Sequence, residues 1–180
     1  MTLLLALACG NVATLDGPVD TAGDDSSVDT GDGPGGEHVL ELVINEFMAE
    51  NVESYLVGDT SPDWIELYNR SEYDVDIEGY LLRDDIEGGD PWAISGSLVV
   101  PAGGFALLLA DGETSLGPDH VGFSLDTSGE QLGLYTPEDK PLDLLDFGAQ
   151  VRDTSLARAE DGVEGEWDYV PLGTPGASNE

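Results

Sequence analysis

The sequence has few of the residues on which several protein classes depend. Its 180 residues include one Cys and two His. A single Cys forms no internal disulfide, and one Cys with two His falls short of the four ligands of a structural zinc site. Lys and Arg total 5 against 38 Asp and Glu, which gives a formal net charge of −33. Because five cations cannot build a basic patch of the size that a phosphate backbone requires, the composition argues against nucleic acid as a partner.

Long apolar runs are missing as well. No run approaches the roughly 18 residues that cross a bilayer, so attachment to a membrane requires an anchor. Residues 1–9, MTLLLALAC, are apolar and end at Cys9, the only Cys in the chain. This segment resembles a signal peptide that ends in the lipobox of bacterial lipoproteins. The resemblance implies a lipid on Cys9 and an exported lipoprotein at the outer membrane or cell surface; the alternative is an apolar start with an incidental Cys.

Residues 10–37 differ sharply from the rest of the chain. They contain seven Gly, six Asp and one Glu, with no aromatic residue, Lys or Arg. Too little apolar surface is available to offset the entropy of ordering the backbone, and the acids repel one another. We therefore expect a disordered acidic tether. The acidic run within it lacks the ligand spacing of a calcium-binding loop.

Residues 38–180 carry all the aromatic residues and form the predicted folded domain. Apolar residues recur there with period two, a pattern typical of half-buried strands. The alternating sets are Leu40, Leu42, Ile44; Ile65, Leu67; Val75, Ile77; Phe105, Leu107, Leu109; Leu132, Leu134. Turn formers separate these sets, which predicts seven to nine short strands in an antiparallel β-sandwich. Helical structure is limited to at most one turn within residues 49–57.

Six blocks in this domain together resemble a lamin-tail domain, over about residues 40–179. The blocks are Ile44 to Ala49, Asp63 to Asn69, Val75 to Tyr80, Val100 to Phe105, Phe123 to Glu130 and Thr174 to Asn179. The resemblance implies an immunoglobulin-like β-sandwich that acts as a non-enzymatic interaction module. In bacteria such domains occur on exported, surface-attached proteins. Because the chain has no coiled-coil heptads, the filament assembly of eukaryotic relatives is not implied.

Three acids in the two strongest blocks are the candidate site residues. Glu46, Asp63 and Glu66 converge if the first strand pairs with the strand that contains Trp64. Carboxylates in such a group bind calcium or act as the acid pair of a glycoside hydrolase. The structural alternative is that Glu46 and Asp63 accept hydrogen bonds from backbone N–H groups at strand ends. No other cofactor is expected.

Other residues have a chemical and a structural interpretation. His120 lies beside Asp119, but the sequence has no Gly-x-Ser-x-Gly nucleophile elbow, so we expect a partly exposed loop histidine. Trp92 and Trp167 stack on sugars if they are exposed and anchor the core if they are not.

The sequence thus predicts a non-enzymatic envelope lipoprotein that presents one sandwich domain for protein or matrix contacts. A calcium-dependent adhesion domain is the second hypothesis, and a carboxylate-dependent hydrolase is the third. The predicted domain has 31 acids and 5 bases, a formal charge of −26. Self-repulsion of this size destabilises a compact state at low salt.

Overall fold

The computed structural model describes residues 42–179. The predicted signal segment, the anchor Cys9 and the tether of residues 10–37 lie outside the described residues. Within residues 42–179 there are eleven strands and no helix, and thus no helix long and apolar enough to cross a membrane. The strands are β1 (Leu42–Met48), β2 (Asp63–Asn69), β3 (Val75–Asp76), β4 (Leu81–Arg83), β5 (Trp92–Ala93), β6 (Val99–Val100), β7 (Phe105–Ala110), β8 (Glu130–Tyr135), β9 (Pro141–Phe147), β10 (Thr154–Arg158) and β11 (Trp167–Pro171).

The predicted number of strands was too low, because several strands have only two or three residues. Such segments are too short to show a period-two pattern. Helical structure was limited to at most one turn within residues 49–57, and no helix is present there. Instead, Val57 and Thr60 form an antiparallel bridge that closes a tight turn.

The strands form an antiparallel sandwich, as predicted. One sheet has the order β11-β10-β1-β2-β7 and the other has the order β5-β4-β8-β9, with β3 and β6 as a separate pair. The main core contains side chains from both larger sheets, including Phe47 and Leu108 from the first and Leu82 and Phe147 from the second.

Strand β2, which lies between β1 and β7 in the first sheet, is buried on both of its faces. Ile65 and Leu67 lie in the main core. Trp64 points to the other face of the sheet, where it packs with Met48 and Leu109 in a second, smaller apolar cluster. The outer face of this sheet is therefore covered by protein, and polar side chains placed there are removed from water.

A β-bulge at Asn45 changes the face that β1 presents to the core. The register with β2 shifts between Ile44 and Glu46. Ile44 points into the main core before the bulge and Phe47 after it, so the alternation skips one residue. As a result Glu46 points to the outer face, the same face as Trp64.

Strand β7 corrects one predicted alternation. Phe105, Leu107 and Leu109 were expected on the buried face, but Ala106, Leu108 and Ala110 are the residues of β7 in the main core. Leu107 and Leu109 pack in the second cluster instead. Because β7 is apolar on both faces, its period-two pattern does not identify the core side.

Candidate functional site

The fold brings together two of the three predicted site acids. Glu46 and Glu66 are directly opposite each other on β1 and β2, and both are fully buried. Asp63 lies at the first residue of β2, about 10 Å along the strand from Glu66. Its carboxylate accepts a hydrogen bond from the Asn51 N–H at 3.0 Å. Asp63 is therefore not part of a group with the two glutamates.

The carboxylate of Glu46 is surrounded by donors from distant parts of the chain. The hydroxyl of Ser155, on β10, donates to Oε1. The N–H of Thr174 donates to Oε1 at 3.0 Å, and the Thr174 hydroxyl donates to Oε2 at 2.8 Å. Both oxygens of Glu46 thus hold the chain that follows β11 against the outer face of the sheet. We call residues 172–179 the C-terminal latch.

Glu66 holds the same latch one strand further along. Its Oε2 accepts the Gly176 N–H at 2.6 Å, and its Oε1 accepts Asn45 Nδ2 at 3.2 Å. Burial raises the pKa of Glu66 to about 7. The two hydrogen bonds lower this pKa, while the charges of Glu46 and Asp161 raise it further, so burial is the dominant cause.

The hydrogen bonds of the three acids favour a structural role over a catalytic or metal-binding one. Glu46, Asp63 and Glu66 each accept a hydrogen bond from a backbone N–H group, and the first two of these were expected to do so in the structural interpretation. Within residues 42–179 no group of three or more His, Cys, Asp or Glu side chains is arranged to hold a metal ion. The paired glutamates stabilise the fold by fixing the latch, because buried donors and acceptors that lack partners are costly.

The two tryptophans singled out in the sequence are partly buried and pack against the main core. The ring of Trp167 lies 6.0 Å from that of Phe47, in an edge-on arrangement. The guanidinium of Arg158 lies 4.8 Å from the centroid of the Trp167 ring. These contacts favour a role in anchoring the core over stacking on sugars.

A groove that sequence analysis did not predict lies between the β1–β2 loop and the loop that follows β7. It has a volume of about 460 Å³. Eight residues line this groove: Val57, Thr60, Ser61, Pro62, Asp111, Glu113, Leu116 and His120. Val57 and Leu116 are exposed, at 36% and 68%, although both are apolar. An apolar residue in the otherwise polar loop after β7 was the one sequence signal for this surface.

His120 occupies a different environment from the one predicted. The residue is only 8% exposed, and its Nδ1 lies 2.8 Å from Oδ2 of Asp111. The backbone explains this position. Leu109 donates to the Asp119 carbonyl at 2.7 Å and accepts from the Val121 N–H at 2.8 Å. The segment around His120 therefore runs along the edge of β7, which turns the imidazole toward the groove.

Comparison with known proteins identifies the domain. Residues 38–149, more than half of the chain, match the family described as Lamin Tail Domain. The chain belongs to the lamin tail domain family. This confirms the resemblance found in the sequence and agrees with the immunoglobulin-like sandwich of the structure. No curated protein matches the chain.

The matched part of the lamin tail domain contains the groove and both buried glutamates. Strands β10 and β11 and the C-terminal latch follow the matched residues. In the structure these later elements complete the first sheet, since β10 pairs with β1. The family assignment supports an interaction module in general and names no partner.

Proposed function

We propose that this protein is an exported, lipid-anchored envelope protein whose lamin tail domain is a non-enzymatic module for contacts with another protein. The observation that carries the contact role is the groove between the β1–β2 loop and the loop after β7. Its volume of about 460 Å³ lies within the range of about 300 to 1,000 Å³ that is usual for ligand sites. Exposed apolar side chains beside a concave surface are typical of contact sites.

The proposed anchor is a lipid on Cys9. Metabolic labelling with palmitate, in cells that make the wild type or Cys9→Ser, tests it directly. We expect label on the wild type and none on the variant, with the variant released from the membrane fraction. Equal labelling of the two proteins, or none on either, would contradict the lipoprotein assignment.

Calcium-dependent adhesion is the second proposal, and the pairing of Glu46 with Glu66 is the observation in its favour. The hydrogen bonds from the latch weigh against it, because a calcium ion would have to displace them. Isothermal titration with CaCl₂ separates the two proposals. Heat of binding that disappears in Glu46→Gln but not in the exposed control Glu164→Gln would favour calcium. Absence of heat in the wild type would favour the calcium-independent module.

A carboxylate-dependent hydrolase has less support from the structure. Glu46 and Glu66 are adjacent, as a carboxylate pair must be, but both are fully buried beneath the latch. A glycoside would not reach them without displacement of residues 172–179. An activity against glycosides that Glu46→Gln abolished would restore this function.

A further inference from the structure

We infer that the groove binds a short protein segment in which apolar side chains are flanked by Lys or Arg. This inference rests on the proposed function, because it names the chemistry of the partner that the groove accepts. Three features of the groove carry it: a preformed shape, an acidic wall without cations, and the Nε2 atom of His120, which is an acceptor when Nδ1 carries the proton.

The groove is shaped before any partner binds. On one side, the turn formed by residues 57–60 is closed by two hydrogen bonds between Val57 and Thr60, at 2.9 and 3.1 Å. On the other side, the hydrogen bonds of Leu109 fix the segment of His120 along β7. Leu116 also lines the groove and is exposed. A rigid groove with exposed apolar side chains loses little entropy when it binds an apolar anchor.

The acidic residues of the groove favour a partner segment with basic flanking residues. Asp111 and Glu113 both belong to the loop after β7, and the lining contains no Lys or Arg. Asp59, in the turn on the opposite side of the groove, is exposed and adds a further acidic side chain. Four of the five cations have partners elsewhere: Arg83 with Asp139, Arg158 with Asp143, Arg152 with Asp153 and Arg70 with the Gly162 carbonyl. An acidic partner would meet repulsion here, whereas a basic one is attracted.

His120 adds a directional contact. In the neutral ring, an Nδ1–H that donates to Asp111 leaves the lone pair on Nε2. Because the ring lines the groove, Nε2 is the nitrogen that can accept from a ligand. Lys, Arg and the backbone N–H of a peptide are all donors, and a carboxylate is not. The acceptor and the acidic wall therefore favour the same partner chemistry.

Binding of three fluorescent peptides to the full chain, followed by anisotropy, tests this inference. The first is a hexapeptide with two central Leu flanked by Lys and Arg on each side. In the second, Glu replaces every basic residue; in the third, Gly and Ser replace both Leu. We expect binding of the first peptide only. If the first and third peptides, which are both basic, bind equally, attraction by the net charge alone explains the result and the inference is overturned. Absence of binding by all three peptides would overturn it as well.

Variants at the exposed positions then locate the site. Leu116→Ser removes an apolar contact and should weaken the first peptide about tenfold. Glu113→Gln should weaken it about threefold, the size typical of one exposed charge pair. Matched controls are Leu144→Ser, on the exposed face of β9, and Glu164→Gln, in the turn before β11; neither should alter the affinity. Equal effects at test and control positions would overturn the inference.

A pair of substitutions at His120 examines the acceptor. His120→Gln retains an acceptor near the position of Nε2, whereas His120→Asn retains only the position of Nδ1. We expect the Asn variant to bind at least threefold more weakly than the Gln variant, with circular dichroism confirming that both are folded. Equal affinities would show that His120 does not accept a hydrogen bond from the peptide. The Leu116 and Glu113 variants would still test whether the peptide binds in the groove. Labelling at Cys9 is independent of these measurements, so failure of the anchor and failure of the groove are distinguishable.

Discussion

The buried carboxylate of Glu66 predicts an unusual dependence of stability on pH. Its pKa is about 7 in the folded protein, against an ordinary value of 4.5. Between these two values the folded state holds a proton that the unfolded state has lost. Rising pH therefore lowers the free energy of unfolding across this window, and the stabilising effect of the bound proton is complete only below about pH 4.5. The difference between the two pKa values corresponds to about 3 kcal/mol.

Glu66→Gln removes this dependence, because an uncharged Gln resembles the protonated glutamic acid. Gln has one acceptor oxygen, whereas Glu66 accepts from both Gly176 and Asn45, so the variant loses one hydrogen bond at every pH. Between about pH 5 and pH 8 the wild type should lose up to about 3 kcal/mol of stability relative to the variant, since the wild type then acquires a buried charge. Urea denaturation at the two pH values, with ionic strength held constant, measures the difference.

Self-repulsion of the other acids also grows with pH, so the comparison needs a control that shares it. Glu164→Gln makes the same change of charge at an exposed position. It should leave the pH dependence of unfolding close to that of the wild type, particularly in high salt, which screens exposed charges more than buried ones. A constant difference between Glu66→Gln and the wild type from pH 5 to pH 8 would refute the reasoning.

Three further predictions concern packing and charge. Gly173→Ala should lower the free energy of unfolding in urea by about 1 to 3 kcal/mol, because the φ of Gly173 is +65° and a Cβ there would lie 2.8 Å from Trp64. Gly58→Ala, at φ +62° with open space around it, should lower it by only about 1 kcal/mol, and equal losses would contradict the steric role of Trp64. Leu108→Ala should cost about 2 to 5 kcal/mol by leaving a cavity in the main core, whereas Leu144→Ala on the surface should cost less than about 1 kcal/mol, and the reverse order would overturn the assignment of faces. Raising NaCl from about 20 to about 500 mM should increase the melting temperature of this acidic domain by screening its self-repulsion, and an unchanged transition would show that repulsion does not limit stability.

The sequence predicted the architecture where alternation was unambiguous. In β2, the apolar Ile65 and Leu67 alternate with larger or polar residues, and both lie in the main core. The fold class follows from such segments, because a period of two is a local property of the chain. In contrast, Leu107 and Leu109 were placed on the wrong face because both faces of their strand are apolar.

The candidate sites depended on contacts that no local pattern contains. At the bulge, the side-chain amide of Asn45 donates a hydrogen bond to Asp161 at 2.9 Å, although the two residues are 116 positions apart in the sequence. The partners of Glu46 are likewise more than 100 residues away. His120 was predicted to be a partly exposed loop histidine, whereas its imidazole is buried against Asp111, nine residues earlier. Pairings of this kind are set by the strand order, which the sequence alone did not determine.

The position of the C-terminal latch determines when the domain can finish folding. Strand β1, the first to leave the ribosome, needs β10 as its neighbour, and Glu46 and Glu66 need donors from Thr174 and Gly176. The native hydrogen bonds of Glu46 and Glu66 therefore cannot all form on a nascent chain until Gly176 has emerged.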